Sequence, residues 1–228
     1  MNKIGFLTQS DGSSEWKQGS TRVICNVNGP IEIKIRDEKL NKASVEVLVQ
    51  PMNGASETLE RMLSNRISSL LEDAIYLTTY PRTLIQVSIQ VVEGNSQDTL
   101  AAAINGATLA LLDAGISLKY LPSAITCHWK DPLGFSEFKN VTAEEPTEMM
   151  SSIINLAYSV SMQEKKLILV ETSGTIPDEE FFLVLSKSPA HVDKITQEMK
   201  TLFMNAYNKD LPIGEKKEEE EEDVKMKD

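Results

Sequence analysis

The chain has 228 residues, with 23 Lys and Arg against 34 Asp and Glu, for a formal net charge of −11. That length is enough for one large domain or two small ones with a sizeable core, and the acidic balance argues against a free-standing protein that holds nucleic acid through a broadly basic surface. The two cysteines, Cys25 and Cys127, lie far apart in apolar runs, which excludes a disulfide scaffold or a CxxC-type zinc site.

The N-terminal residues turn polar by Gln9, which predicts no secretory leader. The longest apolar-rich stretch, 100–118, carries Asn105 and Asp113 and suits a membrane poorly. A soluble protein of a reducing compartment is expected.

Taken in chain order, residues 4–7 suggest a short first strand that ends at the turn signal Ser10-Asp11-Gly12. The polar segment 14–18, flanked by Gly and Ser, suggests a loop. Trp16 within it is the candidate interface anchor, because an exposed aromatic asks to be covered. Residues 21–27 are rich in β-branched side chains and predict a strand that stops at Asn28-Gly29-Pro30. Residues 45–49 alternate like a half-buried strand.

Ser56 is a suitable N-cap for a helix whose Leu59, Met62, Leu63, Ile67, Leu70, Leu71 and Ala74 form one apolar stripe. Residues 84–92 alternate as a strand. Residues 98–114 predict a helix that is apolar nearly all round, and therefore the most buried one, ending at Gly115. Strands follow at 124–129, 153–160 and 167–171, the last two joined by a hairpin. A long helix over 178–207, broken or kinked at Pro189, completes the body. The class is α+β, or mixed α/β, with sheets covered by helices.

No composition shift divides residues 1–213, so they are expected to form one domain. Residues 214–228 hold six Glu and two Asp against four Lys, a net of −4. Five successive glutamates, Glu218 to Glu222, repel one another and predict a disordered acidic tail. Fingerprints for phosphate loops, dinucleotides or a nucleophile elbow are absent, and two histidines are too few for a nitrogen-rich metal site. No metal and no cofactor are expected.

The order of short motifs adds a resemblance. Asp11-Gly12-Ser13-Ser14, Gly19-Ser20-Thr21-Arg22-Val23, Asn28-Gly29-Pro30-Ile31-Glu32, Ala43-Ser44-Val45-Glu46-Val47, Tyr80-Pro81-Arg82-Thr83 and Ala102-Ala103-Ile104-Asn105-Gly106-Ala107 occur in sequence. Together they resemble RNase PH-type domains, a family of phosphorolytic nucleases and of non-catalytic ring subunits of the eukaryotic RNA exosome. The resemblance implies an RNase PH-like fold built from β-α-β type units.

Active members carry a phosphate-binding arginine before the Ala-rich helix and an acidic element with two aspartates. Aligned on Ala102, this chain has Leu100 at the arginine position, and Pro146 and Ser152 at the aspartate positions. Leucine cannot hold phosphate, so the resemblance implies a non-enzymatic ring subunit. Its partners would be other RNase PH-like subunits and cap subunits in a hetero-oligomer, with single-stranded RNA threading the channel toward a separate 3'-5' nuclease.

Such a subunit would serve rRNA processing and RNA decay in nucleus, nucleolus and cytoplasm. Lys34, Arg36, Arg61 and Arg66 are the candidate RNA contacts, although a solvated cation or an intersubunit ion pair is the more ordinary reading of each. The alternative is a phosphorolytic or hydrolytic 3'-5' exoribonuclease active as a homo-oligomer, with Glu145, Glu148 or Asp113 as metal ligands. A nonspecific RNA-binding module is a third reading.

Overall fold

A computed structural model describes residues 2–94, 99–130, 151–161 and 164–210. The stretch 131–150, which holds Pro146, Glu145 and Glu148, lies outside the described residues, as do the hairpin at 162–163 and the acidic tail.

The described chain runs β1 (Lys3–Ile4), β2 (Gly12–Gln18), β3 (Thr21–Glu32), β4 (Ser44–Gln50), α1 (Thr58–Ala74), β5 (Thr83–Glu93), α2 (Thr99–Asp113), β6 (Leu121–Lys130), β7 (Ser151–Val160), β8 (Lys165–Ser173) and α3 (Asp178–Asp210). A first sheet has the order β1-β2-β3-β5-β4, antiparallel except that β4 runs parallel to β5. The second, β6-β7-β8, is antiparallel. One parallel β-α-β unit, β4-α1-β5, is built this way, whereas α2 leads from the first sheet into the second.

Layering follows from which faces are apolar. Val23, Cys25 and Val27 of β3, Val45, Val47 and Val49 of β4, and Ile85, Val87 and Ile89 of β5 are all buried, because α1 and α2 cover that face of the first sheet. On its other side α2 packs against β6 and β7. Every residue from Thr99 to Leu111 is therefore buried, as a helix apolar nearly all round requires, and the polar Asn105 and Thr108 are hydrogen-bonded there. The far face of the second sheet is closed by α3, through Val184 and Val192 on Ile125, Ile154, Leu156 and Tyr158.

Trp16 departs from the sequence expectation. It is 2% exposed and belongs to β2, which pairs with both β1 and β3. It packs within its own domain and cannot anchor a neighbour. The small residues that suggested a loop are small because α2 rests directly on this strand. The Ser14 hydroxyl donates to the Gly106 carbonyl at 2.6 Å, and a side chain at Gly106 would stand 2.7 Å from the Cys25 sulfur.

The opening motif is thus a clamp. The Asp11 carboxylate accepts the Gly29 N–H at 2.8 Å, the Ser13 hydroxyl accepts the Leu7 N–H at 3.0 Å, and Asp113 accepts the Ser13 N–H at 2.8 Å.

Smaller differences have local causes. The first strand ends at Ile4 because Gly5 turns the chain with φ +65°. β3 continues through Pro30 to Glu32, and a register shift between Asn28 and Ile31 absorbs the missing N–H. The N-cap of α1 is Glu57, in a capping box with Glu60. Ser56 instead donates to the Val49 carbonyl at 2.9 Å, while Ser64 accepts the Val49 N–H at 3.1 Å. α3 runs through Pro189. The carbonyl of Leu185, which a proline cannot serve, accepts the Ser188 hydroxyl at 3.0 Å.

Candidate functional site: the start of α2 and a cationic loop

Phosphorolysis needs cations and donors aimed at the phosphate oxygens. Leu100, at the position the resemblance gives to a phosphate-binding arginine, sits in the first turn of α2. It is 1% exposed and packs in the main core. A cavity of about 340 Å³ opens beside this helix start, lined by the β4–α1 connection, the end of β5 and Thr99.

The charged residues of its described lining are Glu57 and Glu60. Both close the capping box of α1, with the Glu57 N–H donating to Glu60 Oε2 at 2.8 Å. Two carboxylates at the rim repel an incoming phosphate.

Of the two positions that the resemblance gives to aspartates, Ser152 is buried, and its hydroxyl donates to the Thr175 carbonyl at 2.7 Å. Asp113 lies at the opposite end of α2 from the cavity, roughly 20 Å away along the 15-residue helix. Its tie to Ser13 makes it architectural. Among the described residues no group of three or more His, Cys, Asp or Glu is placed to hold a metal ion, and no helix is long and apolar enough to cross a membrane.

The four candidate RNA contacts are not brought together. Lys34 and Arg36 are exposed in the loop between β3 and β4. Arg61 is exposed in the first turns of α1, at the far end of β4. The seven residues of β4 alone separate the two places by about 23 Å. Arg66, half-buried in mid-helix, is ion-paired with Glu171 of β8 and so links α1 to the second sheet.

Sequence reasoning missed Glu171, and it also missed how the loop is held. Glu38 of the loop pairs with Arg82 at 3.3 Å, and Lys39 pairs with Glu72 of α1 at 3.4 Å. Between them Ile35 is 90% exposed. The signal for Arg82 was present, since it stands inside one of the six motifs, but only the fold gives it a partner.

Neither thiol is a nucleophile. Burial pushes both Cys25 and Cys127 up to about 12, and a hydrogen bond from Ser14 offsets part of the effect at Cys25. A thiol reagent at pH 8 is expected to leave the native chain unmodified and to label both cysteines once urea unfolds it. The folded state holds these protons to higher pH than the unfolded state, whose thiols ionise near 8.5. The associated stability is therefore intact below that pH and falls as pH rises toward 12. The slope approaches about 1.4 kcal/mol per pH unit per thiol, readable from urea midpoints between pH 8 and 10.5.

Two sheets packed about the buried helix α2, the second of them covered by α3, are the architecture that the sequence resemblance implies. Residues 2–117 match the family described as "3' exoribonuclease family, domain 1", RNase_PH, and the chain belongs to this RNase PH family.

Along its whole length it is similar to "Exosome complex component rrp46" of Schizosaccharomyces pombe, at 57% identity over 99% of this chain and 98% of the relative. "Exosome complex component RRP46" of Saccharomyces cerevisiae is 30% identical over 80% of this chain and 85% of its own. Among solved structures, the crystal structure of rice (Oryza sativa) Rrp46 matches with a TM-score of 0.77 at 31% identity, covering 88% of this chain and 92% of that one. A rice relative, 31% identical over 86% of each chain, carries the name "Exosome complex exonuclease RRP46 homolog".

Proposed function

We propose that this chain is a non-catalytic ring subunit of an RNA exosome, supplying intersubunit surfaces and a stretch of the wall past which single-stranded RNA travels to a separate 3'-5' nuclease. The observation that carries the reading is the start of α2. Leu100, at the position the resemblance gives to a phosphate-binding arginine, packs its apolar side chain in the core, and the adjoining cavity is rimmed by Glu57 and Glu60.

Similarity to two exosome components, over the whole length for one and over 80% of this chain for the other, supports the assembly. Its partners are then other RNase PH-like subunits and cap subunits, and its places of work the nucleus, nucleolus and cytoplasm. A net charge of −11 suits such a part, because a channel needs only a few inward cations, for which Lys34, Arg36 and Arg61 are exposed.

Native mass spectrometry of complexes purified through a tag on this chain tests the assembly. One copy among several different RNase PH-type subunits is the expected result. The second reading, an exoribonuclease acting as a homo-oligomer, draws on the word "exonuclease" in the name of the rice relative. It requires that the purified chain, alone, shorten RNA in a phosphate- or Mg²⁺-dependent way. No shortening is expected, and phosphate-dependent release of nucleoside diphosphates would overturn the non-catalytic reading.

A further inference from the structure

The loop between β3 and β4 is a braced element. The Asp37 N–H donates to the Lys34 carbonyl at 2.9 Å, and the Ser44 hydroxyl donates to the Asp37 carbonyl at 3.3 Å. Lys39 is tied to Glu72 of α1, and Glu38 to Arg82 at the start of β5. What the bracing leaves over is specific: Lys34, Arg36 and Lys42 make no ion pair among the described residues, and Ile35 stands 90% exposed beside them.

Arg82 is unusual among the braces. Its φ is +60°, the one positive value at a described residue other than glycine. Left-handed backbone is unfavourable for any residue with a Cβ, and an ion pair whose arginine is two-thirds exposed returns little stability. Glycine would satisfy the backbone at this turn, but it has no guanidinium to offer Glu38. Strain retained where a cheaper residue fits points to what that residue holds.

We propose that Arg82 is a positioning residue. Its left-handed backbone carries the guanidinium across to Glu38 and thereby fixes the loop so that Lys34, Ile35 and Arg36 are displayed to one ligand, the phosphate backbone of single-stranded RNA. The ligand rests on the channel reading above; the tether itself does not.

Hydrogen exchange on the purified full chain tests the tether. In Arg82→Gly, thermal unfolding is expected within about 2 °C of the wild type, because relief of strain offsets the lost pair. The amides of residues 34–40 should exchange roughly tenfold faster while those of α2 stay unchanged. Glu38→Gln should loosen the same amides, adding nothing in the double variant, and Arg82→Lys should keep them slow. Unchanged loop exchange in Arg82→Gly would overturn the proposal, and so would a general acceleration across the chain.

A second arm uses the assembled complex with a photoreactive single-stranded RNA. Crosslinks at residues 34–36 are expected in the wild type and reduced in Arg82→Gly, with those at Arg61 retained. A wild-type complex that crosslinks nowhere on this loop would overturn the RNA ligand, and the exchange data would then decide the tether alone.

Discussion

Gly12→Ala is expected to cost at least about 4 kcal/mol and to leave little folded chain at 37 °C. A Cβ at Gly12 would lie 2.2 Å from the Ala110 carbonyl oxygen, 2.5 Å from the Ala114 nitrogen and 2.7 Å from the Ala114 Cβ. The obstacles are mainly backbone atoms of the last turn of α2, so no rotamer change relieves them. Relief requires β2 and α2 to separate, and that separation would also break the bonds from Ser13 to Asp113 and from Ser14 to Gly106. Urea unfolding followed by the fluorescence of the buried Trp16 measures the loss, and a change below about 1 kcal/mol would show that the helix can slide on the strand.

Asn105→Ala is expected to cost about 3–5 kcal/mol. This side chain is fully buried on α2, and its amide does the work of a missing strand. Nδ2 donates to the Ala124 carbonyl at 2.8 Å and to Gln18 Oε1 at 2.7 Å, while Oδ1 accepts the Ala124 N–H at 2.8 Å. Alanine would leave both backbone groups of Ala124 buried without that partner, which is the expensive half of breaking a hydrogen bond. Asn105→Asp should fare no better, because the carboxylate has no donors for Gln18 and the Ala124 carbonyl and would be buried as a charge. The same urea titration reads both variants. Amide exchange at the start of β6 separates a local opening from global unfolding, and a loss confined to β6 would mean that the two sheets are less tightly coupled than Asn105 makes them appear.

Much of the fold was legible because hydrophobic period is a strong signal. β5 alternates over eleven residues and α2 is apolar on every side, and each is found where the pattern puts it. β2 was illegible for a physical reason. A strand lying directly under a helix needs small side chains, and Gly12, Ser13 and Ser14 imitate a turn when read one after another. Pro30 hid the end of β3 in the same way, because a local register shift tolerates a residue that a regular ladder rejects.

The candidate site divides differently. Leu100 became informative only through the resemblance, since a leucine in an apolar helix is otherwise unremarked core. The Glu57 and Glu60 rim is a capping-box pattern that, read locally, shifted by one residue onto Ser56. The pairing of Glu38 with Arg82 spans 44 positions of chain and required the sheet to bring β5 beside the end of β3.

The serines around Val49 bear on life outside an assembly. β4 is an edge strand, and its outward N–H and C=O groups are a template on which another polypeptide can add a strand. At Val49 both groups are occupied, by Ser64 and Ser56, and just before the strand the Ala43 N–H is taken by the Leu77 carbonyl. A polypeptide synthesised out of step with the other subunits of its assembly spends time as an orphan, with this edge open to other chains. Occupying the outward groups at the two ends of β4 shortens the stretch on which a stray strand can add, and the two serine hydroxyls do this at the Val49 end.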